Sequence, residues 1–198
     1  MAKLYFKYGV MGSSKSAQAL ITKFNYEQGG NKVLLLKPCT DYRDGVDIIR
    51  SRIGLEAKAV PISNTIDIFD YVINVERPRP KVIICDESQF FSESHIEQLK
   101  DITRLLDIPV ICYGLLTDFK TKLFPGSKRL IELADSIQEI KMICTACNCG
   151  EKASINARII NDKIVLDGDQ VMIGGNDTYK AMCYKCWKER INEEAKFS

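Results

Sequence analysis

The segment Gly9-Val10-Met11-Gly12-Ser13-Ser14-Lys15-Ser16 lies between an alternating apolar run, Leu4 to Tyr8, and a stretch of helical periodicity over about 15–28. Strand, glycine-serine turn, lysine and helix in that order constrain the fold more than any other feature of the chain. The spacing is nearly the phosphate-binding pattern G-x-x-x-x-G-K-[ST], in which backbone N–H groups and the positive end of the following helix cradle phosphate oxygens. Lys15 and Ser16 are in register with Gly9, whereas Ser14 stands in place of the second glycine and adds a Cβ where backbone and phosphate should approach closely. A glycine-serine turn without a ligand is the alternative, but strand, loop and helix fall in the order that phosphate binding requires.

The following sequence repeats the alternation. A strand is expected from Lys32 to Leu36, after the stop at Gly29-Gly30, and a polar loop from Pro38 to about Asn64. Ile66, Phe69, Val72 and Ile73 mark a helix that ends before Arg77-Pro78-Arg79-Pro80, where two prolines block continuation. Val82-Ile83-Ile84-Cys85 and Pro109-Val110-Ile111-Cys112-Tyr113 are apolar throughout, as strands buried on both faces of a parallel sheet are. Helices over about 94–106 and 127–134, and a strand over 137–140, complete the series. The expected class is α/β, a doubly wound, mostly parallel sheet whose ligand lies beyond the carboxyl ends of the strands. The turn at 9–16, Asp86-Glu87 and the stretch Gly114 to Phe124 all fall there.

From Met142 the texture changes. Of the eight cysteines, Cys144, Cys147, Cys149, Cys183 and Cys186 form two tight clusters, while Cys39, Cys85 and Cys112 are scattered and read as small hydrophobes. Cys144-x-x-Cys147 and Cys183-x-x-Cys186 have the spacing of a four-thiolate tetrahedral site, and such clustering in a reducing compartment argues for metal over disulfides. Cys149 leaves an alternative open, since Cys147-x-Cys149 or Cys144-x4-Cys149 could replace one intended pair. Between the clusters a hairpin is expected, Ala153 to Ile160 and Lys163 to Leu166 turned by Asn161-Asp162, then a loop from Gly168 to Ala181. The expected domains are therefore 1–141, a nucleotide-binding α/β unit; 142–190, a small unit held by zinc; and 191–198, a polar, frayed tail.

Net charge is +2, with 28 Lys+Arg against 26 Asp+Glu, so no basic field points to a nucleic-acid polymer as partner. No apolar run approaches the ~20 residues of a membrane span, and no signal-peptide core follows Met1, so cytoplasm is the expected location. Asp86 and Glu87 end a buried strand. An acid there can organise Mg²⁺, and a neighbouring carboxylate can accept a proton from an attacking hydroxyl. Asp41-Tyr42-Arg43 could meet a transferring phosphoryl group, although the residues alone favour a solvated charged loop. His95, the only histidine, reads as exposed and polar. Val171-Met172-Ile173-Gly174-Gly175 leads to Tyr179, offering close backbone approach beside a flat ring.

Taken together, the glycine-serine turn, Asp41-Tyr42-Arg43, Asp86 to Phe91, Cys112 to Phe119, the paired cysteines and Val171 to Tyr179 resemble thymidine kinases of the zinc-containing type with a RecA-like P-loop core, in its bacterial branch. The resemblance runs over about residues 1–190. It implies that Glu87 is the catalytic base for the thymidine 5′-hydroxyl, and that Gly9 through Ser16, Asp41, Arg43, Asp86 and Gln89 serve ATP and its phosphates. It implies a thymidine pocket from Met11, Phe90, Leu115, Phe119, Phe124 and Tyr179, closed by a lasso-like loop from Val171 to Tyr179 that includes Met172, Ile173, Gly174 and Gly175. It further implies Mg²⁺ with ATP, structural Zn²⁺ on Cys144, Cys147, Cys183 and Cys186, feedback inhibition by dTTP, and a homotetramer.

Overall fold

The computed structural model describes residues 1–41, 45–147, 150–170 and 178–196. The elements run β1 (Leu4–Tyr8), α1 (Lys15–Gln28), β2 (Val33–Pro38), β3 (Ile48–Arg50), β4 (Glu56–Lys58), β5 (Val60–Ile62), α2 (Ile68–Asn74), β6 (Val82–Cys85), a 3₁₀ turn (Ser88–Phe90) and α3 (Glu93–Leu105). There follow β7 (Val110–Gly114), α4 (Pro125–Leu133), β8 (Ser136–Glu139), β9 (Ile155–Ile160), β10 (Lys163–Ile164), β11 (Tyr179–Met182) and α5 (Tyr184–Lys196).

Six strands form one sheet in the order β5-β2-β6-β7-β1-β8, and every pairing in it is parallel. Two-residue alternation splits the central strands between two cores. Leu4, Phe6, Leu34, Leu36, Ile83, Cys85, Val110 and Cys112 face Ile68 and Val72 of α2, Ile96, Leu99 and Ile102 of α3, and Leu130 of α4. Leu35, Val82, Ile84, Ile111 and Tyr113 face Ala19 and Leu20 of α1. Helices on both faces explain why β6 and β7 carry no polar alternation: all their residues are buried.

The connections place the site. β1 is separated from β2 by β7 and β6, so α1 crosses one face and returns the chain three positions away. The carboxyl ends of β1, β7 and β6 are consequently neighbours, with Tyr8 opposite Gly114 and Cys85 opposite Cys112. A second sheet, β10-β9-β11, is antiparallel, and α5 packs against it through Trp187. The expected turn at Asn161-Asp162 is present, both residues having positive φ (50° and 61°) as a two-residue hairpin requires.

Several expectations are corrected. The polar loop from Pro38 contains the antiparallel β3–β4 hairpin and the edge strand β5, short elements whose few apolar residues do not rise above the charged background. The loop Gly168 to Ala181 ends in β11, and the tail continues the helix α5 to Lys196, its Glu, Arg and Lys being good helix formers without an apolar stripe of their own. His95 is buried, not exposed: its Nε2 lies 3.1 Å from the Ile66 carbonyl oxygen and its ring meets Phe91 edge-on.

Candidate active site

The turn after β1 folds back on itself. Gly9 N donates to Gly114 O at 3.3 Å, tying β1 to β7, and a Cβ on Gly9 would stand 2.4 Å from Ser13 Oγ and 2.6 Å from Ile140 O. Glycine there is a requirement of space. Gly12 (φ 84°) and Ser14 (φ 62°) both adopt the left-handed conformation. Ser14 thus occupies a conformation that glycine takes without strain, while the replacement costs about 1–2 kcal/mol for an L-residue. Lys15 is buried at the first position of α1, its Nζ donating to Val10 O at 2.8 Å. Met11 N donates to Asn156 Oδ1 at 2.8 Å, and Asn156 Nδ2 donates to Thr117 O at 3.1 Å, so β9 braces the phosphate-type turn against the segment after β7.

Asp86 and Glu87 follow β6. Asp86 is buried, and burial first, then the neighbouring Glu87 charge, push its carboxyl up to about 7 against the opposing pull of the Ser16 hydroxyl and Lys15. Among the described residues its Oδ1 has no hydrogen-bond partner. Glu87 is held at φ 49°, and its Oε2 accepts from Gln89 Nε2 at 2.5 Å, while Gln89 Oε1 accepts from Leu115 N at 2.9 Å. Gln89 therefore links the acidic turn to the end of β7.

These groups open on a cleft of ≈ 910 Å³. Its lining includes Met11, Gly12, Ser14, Lys15 and Ser16, then Asp41, Asp86, Glu87 and Gln89, together with Phe90, Leu115, Phe119, Phe124 and Tyr179. Phe90 and Phe124 meet edge-to-face at 5.6 Å between centroids. Gly9, Val10 and Ser13 are not among the lining residues and support the turn from behind. Asp41 Oδ2 lies 3.3 Å from Nζ of the buried Lys37, which also donates to the Gly45 and Ile48 carbonyls. Arg43, the run Val171 to Gly175 and Cys149 lie outside the described residues. The cleft is further lined by Arg50 to Gly54 at the end of β3 and the turn after it, and by Asn156 and Gln170, none foreseen from sequence, and by Asp118, expected there only as part of the stretch Gly114 to Phe124. A buried polar residue on an apolar strand, such as Asn156 between Ile155 and Ala157, is the signal that could have found one of them.

The sulfurs of Cys144, Cys147, Cys183 and Cys186 all lie within 4.8 Å of one another. Four thiolates on a tetrahedral zinc at about 2.3 Å would be about 3.8 Å apart, so the set fits the ion. Ala146 N and Cys186 N donate to the sulfurs of Cys144 and Cys183 at 3.4 and 3.5 Å, as knuckle turns do. Hydrogen bonding to Cys183, burial and the crowding of neighbouring sulfurs push the Cys186 thiol up to about 12. Such crowding is relieved by a cation. Cys147 is disulfide-bonded in this structure, against the expectation that the clusters stay reduced, and it would join a metal only with that bond opened.

A parallel sheet that sends its first strand through a glycine-serine turn into a helix N-terminus, beside an acidic strand end and an aromatic slot, defines a phosphate-handling α/β protein. A family model for thymidine kinase matches residues 2–187. Thymidine kinases of Streptococcus pyogenes serotype M3 and Streptococcus thermophilus are each 45% identical to this chain, the first over 93% of this chain and 96% of its own length, the second over 96% and 98%. The chain belongs to the thymidine kinase family. Among solved structures, the Pif1 helicase of Candida albicans superposes with a TM-score of 0.41 at 14% identity, over 72% of this chain and 36% of its own, too loose a likeness to bear on the assignment.

Proposed function

We propose that this thymidine kinase transfers the terminal phosphoryl group of ATP to the 5′-hydroxyl of thymidine, and of deoxyuridine, by in-line displacement with Glu87 as base. The observation that carries this reading is that one cleft is lined by Glu87, by Lys15 and Ser16, and by Phe90, Leu115, Phe119, Phe124 and Tyr179. Nucleophile and phosphate would meet at the carboxylate. Turn backbone and Lys15 bind the phosphates, and Lys15 exchanges its bond to Val10 O for one to phosphate oxygen. Arg43 and Asp41 assist at the transferred group. Gln89 holds Glu87 by the hydrogen bond already described, fixing the base without taking part in the chemistry. Val171 to Gly175 close over the base through backbone groups.

Mg²⁺ fits the Ser16 hydroxyl and Asp86, whose buried Oδ1, without a hydrogen-bond partner among the described residues, is an acceptor in want of a cation. When bound it supplies charge neutralisation on the phosphates. Zn²⁺ on the four cysteines is structural, leaving no open position for chemistry. The division into 1–141, a RecA-like P-loop core, and 142–190, a zinc-held lasso unit, belongs to the same proposal, as do the homotetramer, inhibition by dTTP and a cytoplasmic location. Among the described residues no helix is long and apolar enough to cross a membrane.

The test is ATP-dependent phosphorylation of the four natural deoxynucleosides and deoxyuridine, followed by Glu87→Gln. Thymidine and deoxyuridine are expected to be accepted and the purines refused. Glu87→Gln is expected to lose about 10²- to 10⁴-fold in single-turnover rate while still binding ATP. A purine deoxynucleoside as best acceptor, or near-normal chemistry in the variant, overturns the respective claim.

A further inference from the structure

Arg158 on β9 is buried at 3% exposure, yet among the described residues it forms no ion pair. Its guanidinium lies 3.6 Å from the centroid of the Phe119 ring and 5.4 Å from that of Tyr179. Nε and Nη2 donate to the Tyr179 hydroxyl at 2.9 and 2.7 Å, Nη1 donates to Asp169 O at 2.9 Å, and Nη2 reaches Gln170 O at 3.4 Å. A buried cation is costly unless each donor is used, and here one planar fork is spent on two aromatic rings and the backbone just before residue 171. Asp118 adds a second tie: its Oδ2 accepts from Gln170 Nε2 at 2.9 Å, while Oδ1 accepts from Lys120 N and Lys122 N. Phe119 and Tyr179 line the cleft, and Arg158 does not.

We infer that Arg158 is a positioning residue for nucleoside recognition: it fixes the two rings and the backbone at Asp169 and Gln170 from behind, so that thymidine meets a preformed slot. This rests on the thymidine reading above. A preformed slot lowers the ordering that binding must impose, so losing the fork should weaken the nucleoside side and leave the phosphate side alone.

The experiment measures KM for thymidine and for ATP, kcat and thermal midpoint in the wild type, Arg158→Gln, Arg158→Lys, Tyr179→Phe, and the Arg158→Gln, Tyr179→Phe pair. Arg158→Gln is expected to raise the thymidine KM about tenfold or more with the ATP KM within about twofold. Arg158→Lys, which keeps a charge over Phe119 but cannot fork, is expected to recover part of that loss. The pair is expected to cost less than the product of the single effects, because both remove the same bond. An unchanged thymidine KM in Arg158→Gln, or equal rises in both KM values with a fall in midpoint, overturns the inference. Should the Arg158 variants fail to fold, an unchanged thymidine KM in Tyr179→Phe overturns it alone. A wild type that does not phosphorylate thymidine refutes the underlying reading instead.

Discussion

Asp86 is the residue whose surroundings most oppose its charge. Burial and the Glu87 carboxylate raise it from 3.8 to about 7, so the folded, ligand-free chain holds a proton that the unfolded chain releases near pH 4. The stabilisation that this proton brings is complete below about pH 4 and is lost as pH rises through about 7. Asp86→Asn removes the titration. It is expected to leave the thermal midpoint of ligand-free protein nearly unchanged only at about pH 3.5, below the unfolded-state value, and to raise it progressively from there to at least about 3 °C at about pH 8, a shift of roughly 1 kcal/mol for a chain of this size. Scanning calorimetry of both proteins across that range is the measurement, and a constant difference between them would count against a raised Asp86. Asp86 and Glu87 were legible in sequence because they end an apolar run. Asn156 and Arg158 were not, since an inward polar residue on a strand looks like an ordinary outward one until its partners across the fold are known.

At the scale of elements, the parallel strands were readable because burial on both faces leaves an unbroken apolar run, and α1 because a glycine stop follows its periodic stretch. The short β3, β4 and β11 escaped because three or four residues carry too little period to count. Gly126 illustrates a subtler loss. A glycine in the first turn of α4 reads as a weak helix residue, but a Cβ there would stand 2.6 Å from Phe91 O, 2.7 Å from Ser88 O and 2.9 Å from Gln89 O. The start of α4 is docked on the backbone of the turn that carries Gln89 and Phe90, and neither side can yield cheaply. Gly126→Ala, favourable by helix propensity, is therefore expected to destabilise by about 1–3 kcal/mol through overpacking and to lower kcat/KM by shifting that turn. Urea unfolding with steady-state kinetics checks both; a more stable, fully active variant would show that propensity outweighs the close approach.

For the whole molecule, the question is how the cysteine-bearing sheet and the parallel sheet act on one another. Cys144, Cys183 and Trp187 share a small core with Ile155, Ala157, Ile159 and Met182, a cluster of few large side chains, so a bound metal would contribute much of its stability. The same β9 that this core supports reaches out through Asn156 to the Met11 amide of the phosphate-type turn. Loss of the metal should thus be felt first in β9, β11 and α5, then in ATP binding, and last in the six-stranded sheet, which has its own two cores. One Zn²⁺ per chain is expected from reduced protein by elemental analysis. Chelation, or Cys183→Ser, is expected to abolish amide-exchange protection in β9 and α5 while β6 and β7 stay protected, and to weaken ATP affinity several-fold. Uniform loss of protection in both sheets would mean that the molecule unfolds as one unit. Unchanged protection with no zinc in the reduced protein would remove the metal from the account and leave the four cysteines as core residues only.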